Sequence, residues 1–461
     1  MAMPRTLRRS LPAALLAAVW GLFVAYSWPG FMTWDSVNQL LQARSGNYGN
    51  WHPPIMARLW SMLDAIVAGP ALMLILQTAL FMVGLHGVIR RYAAPPRAAV
   101  ITAIVFLFPP VFAPLSAIWK DSLMAGLLLC AAAGWTSAAR GPRLAGWLAL
   151  VMVAALRHNA PLLIVPLTAM IVPYAASWPV WRRRALGAGL GIAVSLAGMA
   201  VSRSLARVDE HPFANMIAME DLAAVIAISG PMSDAEIREL LDGVPIFGAP
   251  GVQARLRALG AEDGDYGTIT FGDQHVFEQV TTEAQATAMV RAWQRTIAAH
   301  PGAYLAHRAR LLLNVLGFTK ARSLPYVTPL SENRVVLGYA GEVRSYSRAQ
   351  RAVARLLGRI SRSIIFWPML YVVLGVGLLV ILWRDPLQRG LLIGALGYEL
   401  AMFFLSPGGQ EYRYSHWMIT CVVIAAAVRF LGVARAARAA RAEPGHTAPG
   451  PDGADAGLLL G

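Results

Sequence analysis

Apolar stretches long enough to cross a lipid bilayer recur along most of the chain. A membrane-spanning helix needs roughly 17–25 mostly apolar residues. Of the 461 residues, 57% are hydrophobic and only 14% are charged, whereas soluble domains carry about 25% charged residues. The sequence therefore predicts an all-α polytopic membrane protein with about 10 transmembrane helices. The predicted spans are 11–29, 70–89, 98–114, 122–138, 144–157, 160–177, 185–201, 366–383, 389–406 and 416–433.

Positive charges beside these spans predict the orientation of the chain. The net charge is +15 and is almost entirely due to arginine, and the arginines cluster next to apolar runs. That placement favours membrane topology and lipid headgroups over nucleic acid as the reason for the charge. If the amphipathic segment 54–68 lies along the outer surface instead of crossing, every short basic connector faces the cytoplasm. We therefore expect a multi-pass protein of a bacterial inner membrane with both termini cytoplasmic.

A change in composition along the chain predicts its domain organisation. The stretch 202–365 holds most of the acidic residues and is expected to be a mostly helical extracytoplasmic domain, with a hairpin over 264–273. The first segment could instead be a signal peptide, but we interpret it as the first span. The predicted parts are an N-terminal membrane core over 1–201 with its first outer loop at 30–69, the domain 202–365, the C-terminal membrane helices 366–433, and a disordered cytoplasmic tail over 434–461.

Two acids in the outer loops are the candidate catalytic residues. Asp35 follows the first span by a few residues, and Asp121 lies at the start of the fourth. A charge at the membrane edge is costly unless it is paired or used, so either carboxylate is a candidate general base or metal ligand. The alternatives are that Asp35 only caps the helix 36–43 and that Asp121 only forms an ion pair with Lys120.

Several cationic and polar side chains accompany these acids on the same predicted side of the membrane. Arginine can bind a phosphate through two hydrogen bonds, and lysine supplies a point charge for the same purpose. His52 belongs to a Trp-His-Pro-Pro sequence, which in the alternative interpretation only starts a helix. Charges inside the spans are scarce, which argues against a transporter. The candidate binding residues are His52, Lys120, Arg157, His158, Glu411 and Arg413.

The order of these motifs resembles the GT-C superfamily of integral membrane glycosyltransferases, which use polyprenyl-phosphate sugars. The resemblance covers residues 1–200 and 360–433 and rests on the acid before WHPP, on WKD at 119–121, on RHN at 157–159 and on EYRY at 411–414. It implies a GT-C-like membrane core, catalytic roles for Asp35 and Asp121, and donor-phosphate binding by Lys120, Arg157 and Arg413.

This resemblance predicts an inverting glycosyltransferase that moves a sugar from a polyprenyl-phosphate donor to an envelope glycan, lipid or protein on the extracytoplasmic side. The alternatives are a transporter or flippase of lipid-linked glycans, and another envelope enzyme such as a glycan polymerase, ligase or phosphotransferase. The expected partners are the lipid-linked donor and membrane lipids, with no nucleic acid. No cofactor is required by the sequence; Mg²⁺ or Mn²⁺ bound by Asp35 and Asp121 is compatible with it, although Asp35 is followed by Ser36 where the family commonly has a second acid.

Overall fold

The computed structural model describes residues 5–171, 178–247, 250–263, 266–271, 273–318, 338, 341, 347–406 and 411–431. Within these residues the chain is built from helices. The first ten α-helices are α1 Arg5–Ser27, α2 Trp34–Ser45, α3 Ile55–Asp64, α4 Ala71–Ile89, α5 Pro95–Leu107, α6 Pro109–Leu115, α7 Lys120–Trp135, α8 Arg140–Leu156, α9 Pro161–Ile171 and α10 Val180–Leu205.

The second half begins with a π-helix, Phe213–Ala218, that runs directly into the next α-helix. The α-helices of this half are α11 Met219–Ile228, α12 Asp234–Leu240, α13 Val252–Ala258, α14 Tyr266–Phe271, α15 Glu283–Ala299, α16 Pro301–Val315, α17 Arg348–Ile360, α18 Pro368–Ile381, α19 Pro386–Leu405 and α20 His416–Leu431. The hairpin expected over 264–273 is wrong, because α14 occupies 266–271 and buries Ile269 in a helical core; residues 264, 265 and 272 lie outside the described chain.

Four described helical segments are long and apolar enough to cross a bilayer: Ser10–Ser27, Ala71–Ile89, Val180–Leu205 and Tyr412–Leu431. Helices α5 and α6 add a fifth if the pair, bent by 69°, forms one span. The bend lies at the Pro109-Pro110 pair, because proline lacks a backbone donor and disfavours the helical conformation of the residue before it. The all-α membrane fold class agrees with this architecture, and the count of about 10 spans stays a prediction.

Two large hydrophobic cores and one small cluster, formed by Phe31, Ala117 and Trp119, occur in the described residues. The larger core joins α1 to α9 with helices α16 to α20, and it includes Phe23, Phe81 and Met418. The smaller core lies entirely within residues 214–292. Helix α1 is part of the larger core, where Trp20 donates a hydrogen bond of 3.0 Å to Thr78 of α4. The stretch predicted as an extracytoplasmic domain therefore contains a core of its own.

Helices α2 and α3 pack against each other between α1 and α4. With 10 residues, α3 is about 15 Å long, half of the roughly 30 Å of a hydrocarbon core. Asp64 at its end accepts hydrogen bonds from Arg44 of α2 at 3.0 Å and from the Gly69 backbone at 2.6 Å. The length of α3 favours the prediction that 54–68 lies on the surface.

The loop after α1 and the loop after α6 are joined by their backbones. The Phe31 amide donates to the Ser116 carbonyl at 3.1 Å, and the Ile118 amide donates back to the Phe31 carbonyl at 2.8 Å. The Ser36 hydroxyl adds a buried hydrogen bond of 2.6 Å to the Ile118 carbonyl. These bonds place the start of α2 beside the start of α7.

Candidate functional site

One cavity of about 610 Å³ collects most of the predicted site residues. They come from α2, the loop before α3, the start of α7, the turn between α8 and α9, and the turn before α20. The predicted residues that line it are Asp35, His52, Lys120, Arg157, His158 and Arg413. The remaining two, Asp121 and Glu411, each pair with one of the lining arginines.

Asp35 is surrounded by positively charged and polar groups. Its Oδ2 lies 2.5 Å from Arg413 Nη1, and its Oδ1 lies 3.4 Å from His52 Nε2. On the other side of the imidazole, Lys120 Nζ is 2.6 Å from His52 Nδ1. The N-cap of α2 is Thr33, which forms a capping box with Ser36, so Asp35 is not the cap that the alternative interpretation expected.

The electrostatic surroundings fix the charge states in the cavity. Burial alone would raise the pKa of Asp35, but the charges of Arg413, His52 and Lys120 hold that pKa well below its usual value. Burial and Lys120 lower the pKa of His52. Burial, followed by Lys120, lowers the pKa of His158 to about 4. At neutral pH the site therefore combines an ionised carboxylate with neutral imidazoles.

Asp121 lies behind Arg157, outside the residues that line the cavity. Its Oδ1 accepts a hydrogen bond from Arg157 Nη2, and both side chains are nearly buried. The sequence places Asp121 next to Lys120, but the Lys120 amine bonds to His52 instead. The local Lys120–Asp121 ion pair of the alternative interpretation is therefore replaced by a contact between two loops.

Aromatic rings contact the guanidinium groups of Arg157 and Arg413. The Arg413 guanidinium lies 5.2 Å from the centre of the Trp119 ring, and both arginines lie 5.6 Å from the Tyr414 ring. Glu411 is 3.2 Å from Arg413 Nε and remains 44% exposed at the rim. Trp119 and Tyr414 belong to the WKD and EYRY motifs, but their role was not identified from the sequence. The alternation of aromatic and cationic residues was the available signal.

Part of the cavity lining is apolar and comes from distant parts of the chain. The π-helix contributes Phe213, Met216 and Ile217, and the end of α19 contributes Met402 and Leu405. The sequence analysis missed these residues, because isolated apolar residues in 202–365 carry no pattern that points to a cavity. The site consequently combines charged and hydrophobic lining.

The stretch that follows α10 fixes the loop carrying His52. The Arg207 amide donates to the Tyr48 carbonyl at 2.8 Å. The Asn50 amide donates to Asp209 at 2.8 Å, and its oxygen accepts from the Glu210 amide at 2.7 Å. Next to them, the Trp51 amide donates to Glu210 at 2.9 Å. We refer to the contacts between 48–51 and 207–210 as the loop clamp.

The acids of the cavity do not suit a divalent cation. Both oxygens of Asp35 already face Arg413 and His52, and Asp121 is paired with Arg157. A divalent cation bound there would lie beside the guanidinium groups of Arg413 and Arg157, which would repel it. In the described residues, the group of ligand atoms that lie within 4.8 Å of one another is instead Asp209, His211 and Glu283, which are mostly exposed. We therefore derive no step through a metal.

A second buried polar cluster is centred on Asp221 and includes Trp293, His307 and Arg308. Asp221 Oδ2 accepts hydrogen bonds from Trp293 Nε1 at 2.8 Å and Arg308 Nη2 at 2.5 Å, and Asp221 Oδ1 lies 3.4 Å from His307 Nε2. Arg308 Nη1 also donates to the Ser406 carbonyl at the end of α19, at 2.9 Å. We call these residues the Asp221 cluster, and it connects α11, α15 and α16 to α19.

Comparison with known proteins gives one similarity among solved structures. No protein-family model matches the chain, and no curated protein matches it. The chain is similar to the crystal structure of ArnT from Cupriavidus metallidurans bound to undecaprenyl phosphate, with 15% sequence identity and a TM-score of 0.35 over 92% of this chain and 78% of that chain. We therefore argue the function from the geometry of the site.

Proposed function

We propose that the cavity is the active site of a membrane glycosyltransferase that uses a polyprenyl-phosphate sugar and works on the extracytoplasmic side. The observation that carries the proposal is one cavity of about 610 Å³ that is lined by both charged and apolar side chains. A lipid-linked sugar combines the same properties, with a phosphate joining a polar sugar to a hydrocarbon chain. The size lies within the range of about 300–1,000 Å³ that is typical of ligand pockets.

The charged lining is suited to a phosphodiester. Two guanidinium groups and an amine line the cavity, those of Arg157, Arg413 and Lys120. Carboxylates accompany both arginines, since Asp35 and Glu411 contact Arg413 and Asp121 contacts Arg157, and burial lowers the pKa of Lys120 to about 7. A phosphate would accept hydrogen bonds from these donors. Two guanidinium groups offer paired donors, while the lysine adds a point charge. In this proposal Asp121 is a positioning residue, which holds Arg157 towards the phosphate.

The apolar lining is suited to the first isoprene units of the donor. Hydrocarbon surface in the same cavity comes from Phe213, Met216, Ile217, Met402 and Leu405. Burial of apolar surface stabilises binding by roughly 25 cal/mol per Å². A phosphosugar without the lipid would lack this contribution, so we expect it to bind much more weakly than the lipid-linked donor.

The reaction is a substitution at the anomeric carbon. The acceptor hydroxyl attacks this carbon, its proton passes to Asp35, and the bond to the phosphate oxygen breaks with its electron pair leaving on the phosphate. The cations then stabilise the charge that develops on the leaving group. One direct displacement inverts the configuration of the sugar.

His52 orients the base. If Lys120 donates to His52 Nδ1, the other ring nitrogen carries the proton and donates it towards Asp35. This arrangement keeps one oxygen of Asp35 in place without protonating it. The relay gives His52 and Lys120 positioning roles in addition to substrate binding.

The test is transfer by purified full-length protein in liposomes, with a radiolabelled polyprenyl-phosphate sugar and release of polyprenyl phosphate as the readout. Asp35→Asn keeps the size of the side chain and removes the base, so we expect the rate to fall by about 10²–10⁴. Asp64→Asn is the matched control, because Asp64 is also bound to an arginine in the same loop but lies outside the cavity. Asp64→Asn should transfer the sugar at nearly the wild-type rate.

Other outcomes separate the competing functions. Movement of the lipid-linked sugar across the bilayer without a new glycosidic bond would identify a flippase and reject the proposal. Activity confined to diphosphate-linked oligosaccharides would indicate a polymerase or ligase. Wild-type transfer by Asp35→Asn would remove Asp35 from the mechanism.

A further inference from the structure

Helix α17 carries four arginines along one side, and a fifth follows shortly after its end. Arg348, Arg351, Arg355 and Arg359 follow one another at intervals of three or four residues, which places them on one face of the helix. Arg362 lies just beyond the C-terminal end of α17, and all five are exposed. Residues 347–384 contain no Asp or Glu, so no acid in this stretch compensates the positive charge.

The opposite side of α17 packs onto the membrane core. Leu357 is buried, and Val353 and Ile360 pack against the larger hydrophobic core. Gln350 is also buried and donates a hydrogen bond of 2.9 Å to the Trp28 carbonyl. These contacts fix the rotation of α17 about its axis, so the arginine side faces away from the protein.

The contact with Trp28 sets the depth of α17 relative to a bilayer. Residues Ser10–Ser27 form a segment that can span the membrane, and Trp28 follows it directly. A helix bound to this carbonyl lies where the hydrocarbon region ends and the lipid headgroups begin. Leu356 and Ile364 are 56% and 59% exposed beside the arginines, as expected for a helix that contacts acyl chains and headgroups together.

We propose that the arginine side of α17 binds anionic phospholipid headgroups of the leaflet that surrounds it. Each arginine near a negative membrane surface contributes attraction, and the four on α17 together with Arg362 give a band of donors for lipid phosphates. The exposed apolar residues beside them favour a lipid over an acidic protein as the occupant. This inference is independent of the proposed glycosyl transfer.

The experiment measures phospholipid binding to the purified full-length protein by native mass spectrometry, with phosphatidylglycerol and phosphatidylethanolamine titrated separately. We expect the wild type to prefer phosphatidylglycerol. The triple variant R348Q/R355Q/R359Q should bind phosphatidylglycerol about tenfold or more weakly than the wild type. Raising the salt from about 0.1 M to 1 M should weaken wild-type binding, because it shortens the Debye length from about 10 Å to 3 Å.

Two further variants make the result specific. R348K/R355K/R359K keeps the charge and should retain the preference. R238Q/R291Q/R295Q removes three exposed arginines from α12 and α15 and should bind phosphatidylglycerol like the wild type. Equal affinity of wild type and R348Q/R355Q/R359Q for phosphatidylglycerol would overturn the proposal. Displacement of phosphatidylglycerol by undecaprenyl phosphate at equal concentration would also overturn it, because the surface would then bind the lipid carrier of the donor.

Discussion

Asp35 shows how a single residue can be kept ionised inside a partly buried site. A buried carboxyl normally becomes harder to ionise, yet Arg413, His52 and Lys120 lower the pKa of Asp35. A lowered pKa means that the carboxylate persists as the pH falls and is lost only near that lowered value. Between about pH 8 and pH 5, protonation of Asp35 should therefore not reduce the rate of sugar transfer by the wild type.

Arg413→Gln should expose this dependence. With the guanidinium removed, less positive charge opposes the effect of burial, and the pKa of Asp35 rises. As the pH is lowered, the rate of sugar transfer should therefore begin to fall at a higher pH than in the wild type. The measurement is the initial rate against pH at subsaturating donor. Glu411→Gln is the comparison, since it removes a carboxylate from Arg413 but leaves Arg413 beside Asp35. If both variants keep the wild-type profile, Arg413 does not control the charge of Asp35.

The residue scale also shows what sequence reasoning reaches and where it stops. Asp35 and Arg413 could be identified because a charge at the end of an apolar span needs a use or a partner. Their mutual contact could not, since 378 positions separate them. Lys120 and Asp121 were considered as partners because they are adjacent, but adjacent residues on a helix point about 100° apart. Their partners, His52 and Arg157, come from other loops.

At the scale of elements, the loop clamp holds the segment that carries His52. An added Cβ at position 49 would come within 1.9 Å of Glu210 Oε2, so a side chain there would displace the carboxylate that accepts from the Trp51 amide. The clamp joins the loop 48–51 to the stretch after α10, which no local pattern predicts. Element ends were easier to predict: Ser233 with Glu236 reads as a capping box in sequence and forms one in the structure.

Asn50→Ala should weaken the clamp. It removes two hydrogen bonds, each worth about 1 kcal/mol, so we expect a loss of about 1–2 kcal/mol in the free energy of unfolding and a lower rate of transfer. Unfolding can be followed by the reaction of Cys421, which is buried, with a thiol-reactive dye during heating. Asn47→Ala, an exposed position in the same loop, should change neither measurement. Equal melting of Asn50→Ala and wild type would show that the clamp does not stabilise the fold.

At the scale of the whole molecule, the Asp221 cluster joins the region with the smaller core to the end of α19. The partner that Trp293 and Arg308 share, Asp221, lies 72 or more positions earlier in the chain. The domain boundaries at 202 and 365 stay predictions. Compositional contrast predicted a separate domain over 202–365, while the contacts that attach its core to α19 require the folded structure.

Asp221→Asn should be strongly destabilising. Removing one charge of a buried ion pair leaves the other uncompensated, which costs about 3–5 kcal/mol, and Arg308 is almost completely buried. The same thiol-reactive melt measures the effect. Glu236→Gln alters an exposed acid of α12 and should lower the melting temperature far less. If Asp221→Asn and Glu236→Gln have the same melting temperature, the Asp221 cluster is not a major source of stability.

The backbone pairing of Phe31 with the 116–118 segment has a consequence for substrate entry. Since those hydrogen bonds couple the segments that carry Asp35 and Lys120, these two parts of the cavity lining should move together. We therefore expect any widening that admits a bulky lipid-linked sugar to change the distance from this pair to the π-helix and the end of α19.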